Sequence, residues 1–202
     1  SSVGEDIKFL SEKDWMRDRR QAWKGKGTRI AVIYADGAIV DGRSNQDMFG
    51  SRYIGHQTVV SQLRKVRKDE DVAAVVLRVN SPGGSGSASD AIWREVVLTR
   101  DEKPVVVSMG DYAASGGYYI SMAANHIFAE PGTLTGSIGV FGGKMNLAGV
   151  YEDFGVHLHT DQRGKYANLL SGTSDFNDDE RVKFKGFLAG FYDIFVTKAA
   201  EG

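Results

Sequence analysis

Val72-Ala73-Ala74-Val75-Val76-Leu77-Arg78-Val79 runs directly into Asn80-Ser81-Pro82-Gly83-Gly84. An apolar, β-branched run closed by Pro-Gly-Gly reads as a buried strand that ends in a tight turn. Pro104-Val105-Val106-Val107-Ser108-Met109 repeats the pattern, and Ala113-Ala114-Ser115-Gly116-Gly117 comes after it. Small residues after a strand let a serine hydroxyl stand clear of bulky neighbours. A Gly-Gly turn after the adjacent strand lets its backbone N–H groups approach a substrate closely. Together the two turns have the makings of a nucleophile, Ser115, and an oxyanion hole. The same residues admit a plainer alternative, a small-residue helix start with Ser115 as N-cap.

Outward from this pair, strands alternate with helices. Thr28 to Ala35 is a buried-strand pattern and opens the domain, 28–202; Asp36-Gly37 and Asp41-Gly42 read as turns. Val59, Val60, Leu63 and Val66 have the spacing of an amphipathic helix over 58–68, and Ala91, Ile92, Val96 and Val97 mark another over 87–99. A helix is expected from Ser115 through Ala124, a short strand at 126–129, a helix around Leu147 to Phe154, a strand at 156–160 and a long helix over 178–200. The alternation argues for an α/β fold with a mostly parallel sheet flanked by helices. In such sheets the active site lies at the carboxyl ends of the strands, where both glycine-rich turns fall.

Composition narrows the function classes. The chain has 202 residues, enough for one domain with an arm. A net charge of −1 provides no electrostatic footprint for nucleic acid. With no cysteine there is no disulfide, thiolate zinc site or cysteine nucleophile. No stretch reaches the about 18 apolar residues of a membrane span. Residues 1–27 are charged and mixed, and read as a solvated arm or linker, or as an arm docking on a partner through Trp15 and Trp23. The opening Ser1-Ser2-Val3 has no Met, and the chain stops inside a helical pattern; a piece of a longer protein is expected.

A serine needs a base to act as a nucleophile at neutral pH. The four histidines, His56, His126, His157 and His159, lie in no motif that brings them to Ser115. His157 and His159 share a face of an expected strand, but without a carboxylate cluster they read as ordinary structural residues, and no metal is expected. Gly136 to Gly143 lacks the Gly-Lys-Ser/Thr ending of a phosphate loop and the spacing of a dinucleotide turn. It reads as a substrate-flanking loop instead. A lysine whose pKa is lowered by burial is the alternative base.

Three segments carry a resemblance. Asn80-Ser81-Pro82-Gly83-Gly84-Ser85, Ser108 through Ser121, and Thr133-Leu134-Thr135-Gly136-Ser137-Ile138-Gly139-Val140 resemble, in order, the S49 serine peptidases of the signal peptide peptidase A (protease IV) type. The resemblance runs from about Arg29 to the C-terminus. It implies a crotonase-like, Clp-protease-like fold, a Ser–Lys dyad and no cofactor. It also implies homo-oligomeric rings that degrade cleaved signal peptides at the bacterial cytoplasmic membrane, with the catalytic domain on the extracytoplasmic side and the membrane association outside this chain. Carried over by position, Ser115 is the nucleophile, the N–H groups of Gly84 and Gly116 are the oxyanion donors with Gly83 adjacent, and the walls around Ser115 form an apolar S1 pocket.

One departure matters. Single-domain members carry the base lysine in a Gly-x-Tyr/His-Lys segment, whereas this chain reads Gly164-Lys165-Tyr166-Ala167. Ala167 stands where the lysine belongs, and Lys165 is displaced from that position by about 6–7 Å on an extended segment. Three explanations fit: the chain is the C-terminal half of a tandem-domain member whose lysine lies in the other half, the lysine was replaced by alanine, or Lys165 serves. The competing hypotheses are a catalytically inactive crotonase-like scaffold for peptide binding or oligomerisation, and acyl-CoA chemistry, for which no acidic pair is placed.

Overall fold

A computed structural model describes residues 29–202. The expected arm, with Trp15 and Trp23, lies outside them. The elements in order are β1 (Arg29–Asp36), β2 (Ala38–Val40), β3 (Asn45–Gln46), β4 (Arg52–Gly55), α1 (His56–Arg67), β5 (Val72–Ser81), α2 (Gly86–Arg100), β6 (Val105–Ala114), α3 (Gly116–Ser121), β7 (His126–Phe128), β8 (Leu134–Gly136), α4 (Ala148–Asp153) and α5 (Asp178–Glu201).

The main sheet has the order β1-β5-β6-β7, every pair parallel, and β8 pairs in parallel with the far end of β6. Parallel neighbours need crossover helices, and the chain supplies α1 between β1 and β5 and α2 between β5 and β6. Side chains alternate along each strand. On one face Ile33, Leu77, Val79, Val105, Val107 and Met109 are buried with Val59 and Leu63 of α1 and Ile92 and Val96 of α2. On the other face Ile30, Val32 and Tyr34 stay more than half exposed. The helices thus cover one face of the sheet among the described residues. A second small sheet, β2-β4-β3, sits beside the Pro82-Gly83-Gly84 turn, with one bridge from Ile39 to Gly84.

Charge fixes the helix layer. Glu95 on α2 is 2% exposed and accepts a hydrogen bond from Arg64 Nε at 2.8 Å; its Oε1 faces Arg67 Nη2 at 3.0 Å, off the hydrogen-bond direction. Arg67 is itself mostly buried and otherwise has only a longer contact, Nε to Glu102 Oε1 at 3.5 Å, so removing Glu95 takes away the nearer of its two carboxylates between α1 and α2. Glu95→Ala should cost about 3–5 kcal/mol, read as a lower midpoint in urea unfolding. A loss under about 1 kcal/mol would mean that Glu102 and water together compensate Arg67 fully.

The last helix starts at a capping box: Asn177 Oδ1 accepts from the Glu180 N–H at 2.8 Å, and the Glu180 carboxylate accepts from the Asn177 N–H at 3.1 Å. Its other end docks through Phe195, 1% exposed, whose ring lies 4.7 Å from that of Tyr119. Lys198 pairs with Asp90 and lies 3.5 Å over the Trp93 ring. Tyr119 donates to Asp90 Oδ1 at 2.6 Å. Burial, and after it that hydrogen bond, pushes the Tyr119 phenol far above its ordinary pKa, so it stays neutral.

Three expectations change. β6 continues past Met109 to Ala114, because β5 and β8 both pair with the added residues. The helix after Ser115 is shorter, Gly116–Ser121. No strand forms at 156–160: the alternation is present, but no neighbouring edge meets it, and Val156 and Leu158 remain about half exposed.

Candidate active site

The Pro-Gly-Gly turn and the Ala-Ala-Ser-Gly-Gly turn meet at the carboxyl ends of β5 and β6. Ser115 has φ 50° and ψ −118°, a conformation rare for any residue but glycine. It costs about 1–3 kcal/mol and persists only where surrounding contacts over-determine it. Here they do: the Ser115 N–H donates to the Gly136 carbonyl of β8 at 2.8 Å, and its own carbonyl accepts from Tyr119 in α3 at 2.9 Å. Ser115 occupies the N-cap position of α3 yet makes no capping bond with its side chain. Its hydroxyl therefore has no partner among the described residues. Strain and a free hydroxyl are the signature of a strand-to-helix nucleophile turn, although the local sequence is not Gly-x-Ser-x-Gly.

The Gly83-Gly84 turn lies against it. Both glycines have positive φ, 107° and 153°. A Cβ on Gly83 would stand 2.7 Å from the Gly116 nitrogen and 2.8 Å from Ser115 Cβ; one on Gly116 would stand 3.2 Å from the Gly84 nitrogen. The backbone around Ser115 thus closes to a distance only glycine permits. The Gly83 N–H is engaged by Ser81 Oγ at 3.1 Å, whereas those of Gly84 and Gly116 make no hydrogen bond among the described residues. β2 clamps the turn from outside: Ile39 N–H donates to the Gly83 carbonyl at 2.9 Å, and Ser85 N–H to the Ile39 carbonyl at 2.8 Å.

Ser115, Gly84 and Gly116 open onto a cavity of about 480 Å³. Its far wall is one face of α5: Phe184, Leu188, Phe191 and Phe195, with Phe187 at the rim; Tyr119 and the loop 139–143 complete it. The sequence marks these aromatics only as core or contact residues. Their spacing along the helix is visible there, but what they face is decided by how α5 folds back. The loop Gly136 to Gly143 does flank the serine, as its glycines suggest.

The base candidates fall elsewhere. No lysine or histidine among the described residues lines the cavity. Lys165 is 62% exposed and paired with Asp179 at 2.8 Å. The Asp179 hydrogen bond, then its charge, raises the Lys165 pKa, the reverse of what a neutral base needs. Ala167, where a family lysine would stand, is exposed in a turn. His157 is exposed, and His159 lies 3.4 Å from Asp161 on the surface. No group of three potential metal ligands exists among the described residues.

Comparison with known proteins gives the family. The family model for Peptidase family S49 matches residues 98–202, and that for Clp protease matches residues 51–133. The second match and the mostly parallel sheet give the fold class, a Clp-protease-like α/β fold. The chain is similar to the chloroplastic serine protease SPPA of Arabidopsis thaliana, 42% identical over 177 residues, or 87% of this chain and 26% of that protein. It is similar to Protease 4 of Salmonella typhi, 52% identical over 176 residues, or 87% of this chain and 28% of that one. It is also similar to a putative signal peptide peptidase SppA of Enterococcus faecium, 35% identical over 176 residues, or 86% of this chain and 51% of that one. The chain spans little more than a quarter of the first two relatives. With the S49 model covering over half of its residues, including Ser115 and the loop beyond it, the chain belongs to peptidase family S49, a family of serine peptidases.

Proposed function

We propose that this chain is the nucleophile-bearing domain of a serine endopeptidase that cleaves apolar peptides, cleaved signal peptides among them, at a bacterial membrane. The single observation that carries this is Ser115: a strained backbone, a free hydroxyl, and two unused N–H groups beside it at the mouth of an apolar cavity. Ser115 Oγ attacks the scissile carbonyl carbon and its proton passes to a neutral lysine. The carbonyl oxygen, now negative, is held by the Gly84 and Gly116 N–H groups. Collapse breaks the C–N bond, and the leaving amine takes the proton back. Water then hydrolyses the acyl-enzyme by the same steps, regenerating Ser115.

The lysine comes from another domain or another subunit. The cavity has no lysine of its own among the described residues, and Lys165 is held charged. This suits a tandem-domain polypeptide in whose C-terminal half this chain is the serine-bearing part, since the chain spans little more than a quarter of its long relatives. Apolar residues left exposed on α5 (Val182, Phe187 and Ile194) and on the open sheet face suit assembly into a homo-oligomeric ring. No helix among the described residues is long and apolar enough to cross a membrane.

The aromatic wall sets the substrate class. Burying one Leu- or Phe-sized side chain there contributes about 1.5–3 kcal/mol. In the longer polypeptide, peptides with an apolar residue before the scissile bond should be cleaved about 10–100-fold more efficiently than matched peptides with Asp or Lys there. Equal cleavage of both would remove the apolar S1 pocket, and cleavage of neither would favour the inactive scaffold. In the same assay Lys165→Met should leave kcat within about twofold; a loss of about 100-fold or more would make Lys165 the base after all.

A further inference from the structure

We propose that Asn80 is a positioning residue for the reaction: it fills a bulge in β6 and thereby sets the register between the turn that carries Ser115 and the turn that carries the oxyanion donors. The inference rests on the assignment of Ser115 as nucleophile.

β5 and β6 run in register from Val75↔Val105 to Val79↔Met109, then resume at Ser81↔Ala113. One residue of β5, Asn80, therefore faces three of β6: Gly110, Asp111 and Tyr112. Such a bulge bends a strand and re-aims the residues beyond it, and here Ser115 lies two residues past the point where pairing resumes. The Asn80 side chain occupies the gap. Its Oδ1 accepts from the Tyr112 N–H at 3.2 Å, and its Nδ2 donates to Asp36 Oδ1 of β1 at 3.0 Å. Its backbone carbonyl accepts from the Gly37 N–H at 2.9 Å. Gly110 leaves room for it: a Cβ there would come within 2.9–3.1 Å of Asn80 Oδ1, Cβ and Cγ. One side chain thus ties the ends of three strands, and the next four residues are the oxyanion turn.

The carboxamide serves both contacts at once, with its oxygen as acceptor and its NH2 as donor. It must accept from Tyr112 and donate to the Asp36 carboxylate, whose other oxygen accepts from Arg52 Nη1 at 2.9 Å. Asn80→Asp keeps the size and the acceptor but sets a second carboxylate against Asp36. Asn80→Ala removes both contacts. If Asn80 positions the two turns, either change lets Ser115 and the Gly84 N–H drift apart, and misplacement by about 1 Å costs about 100-fold in rate.

The test measures kcat and KM for an apolar fluorogenic peptide in the polypeptide that shows Ser115-dependent hydrolysis, together with the thermal midpoint. The expected result is a kcat about 30–100-fold lower for Asn80→Asp, with KM within about twofold, at a temperature where the variant is fully folded. Combining Asn80→Asp with Asp36→Asn restores a complementary donor–acceptor pair and should recover most of the lost kcat. A folded Asn80→Asp or Asn80→Ala variant with unchanged kcat overturns the proposal, as does a loss that the Asp36→Asn partner fails to rescue. Hydrolysis that survives Ser115→Ala instead overturns the nucleophile assignment and, with it, any positioning of Ser115; the two failures are told apart by that control.

Discussion

Ser115→Ala abolishes peptide hydrolysis, with kcat falling by about 10⁴-fold or more. KM should change little, because the aromatic wall proposed to hold the peptide side chain belongs to α5 and is untouched. The fold also persists, since alanine meets the same backbone demand: the N–H bond to Gly136 and the carbonyl bond from Tyr119 do not involve the hydroxyl. Ser115→Gly makes the contrast sharper. Glycine relieves the φ of 50°, so this variant should be as inactive as alanine yet more stable by about 1 kcal/mol. Gains in stability accompanied by complete loss of hydrolysis would show that the strain serves the nucleophile. A Ser115→Gly variant less stable than the parent would show that the turn holds Ser115 without strain.

Gly83→Ala is expected to be nearly as damaging, for a different reason. The Gly83 N–H donates to Ser81 Oγ at 3.1 Å, so the proposed mechanism assigns it no part in holding the oxyanion. Its contribution is the space it leaves. The new methyl would press on the Gly116 nitrogen and on Ser115 Cβ, at a φ of 107° that alanine resists. One donor is displaced and the nucleophile is pushed from its line of attack. Loss of one oxyanion donor alone costs about 10²–10³-fold in kcat. KM for the apolar peptide should move much less. A variant with kcat within about threefold would mean that the oxyanion site lies elsewhere.

Much of this site is legible in the sequence because its parts are local. Two apolar runs closed by small residues announce β5, β6 and the turns after them, and positive φ at Gly83 and Gly84 is what a Gly-Gly pair offers. What the sequence conceals is non-local. β2, β3 and β4 are two to four residues long and mixed in polarity, and their pairing exists only because each finds a neighbour. Gly110-Asp111-Tyr112 lies past the end of the expected strand; it is a bulge inside β6, and Asn80 fills the gap. The alternating segment Val156 to Thr160 fails as a strand for want of an edge. The aromatic face of α5 is visible by its spacing, but its place beside Ser115 depends on Phe195 and Lys198 docking against Tyr119, Asp90 and Trp93. Lys165 lies near the expected position of the base; its neighbour Asp179, distant in sequence, holds it charged.

The measurement that bears most directly on the central claim is covalent labelling by a fluorophosphonate, read by intact mass and peptide mapping, on this chain and on the longer polypeptide. The account predicts one adduct, on Ser115, in the longer polypeptide, and little or none in the chain alone, where no lysine or histidine among the described residues lines the cavity. An adduct on another residue, or none on Ser115 in either form, would contradict it.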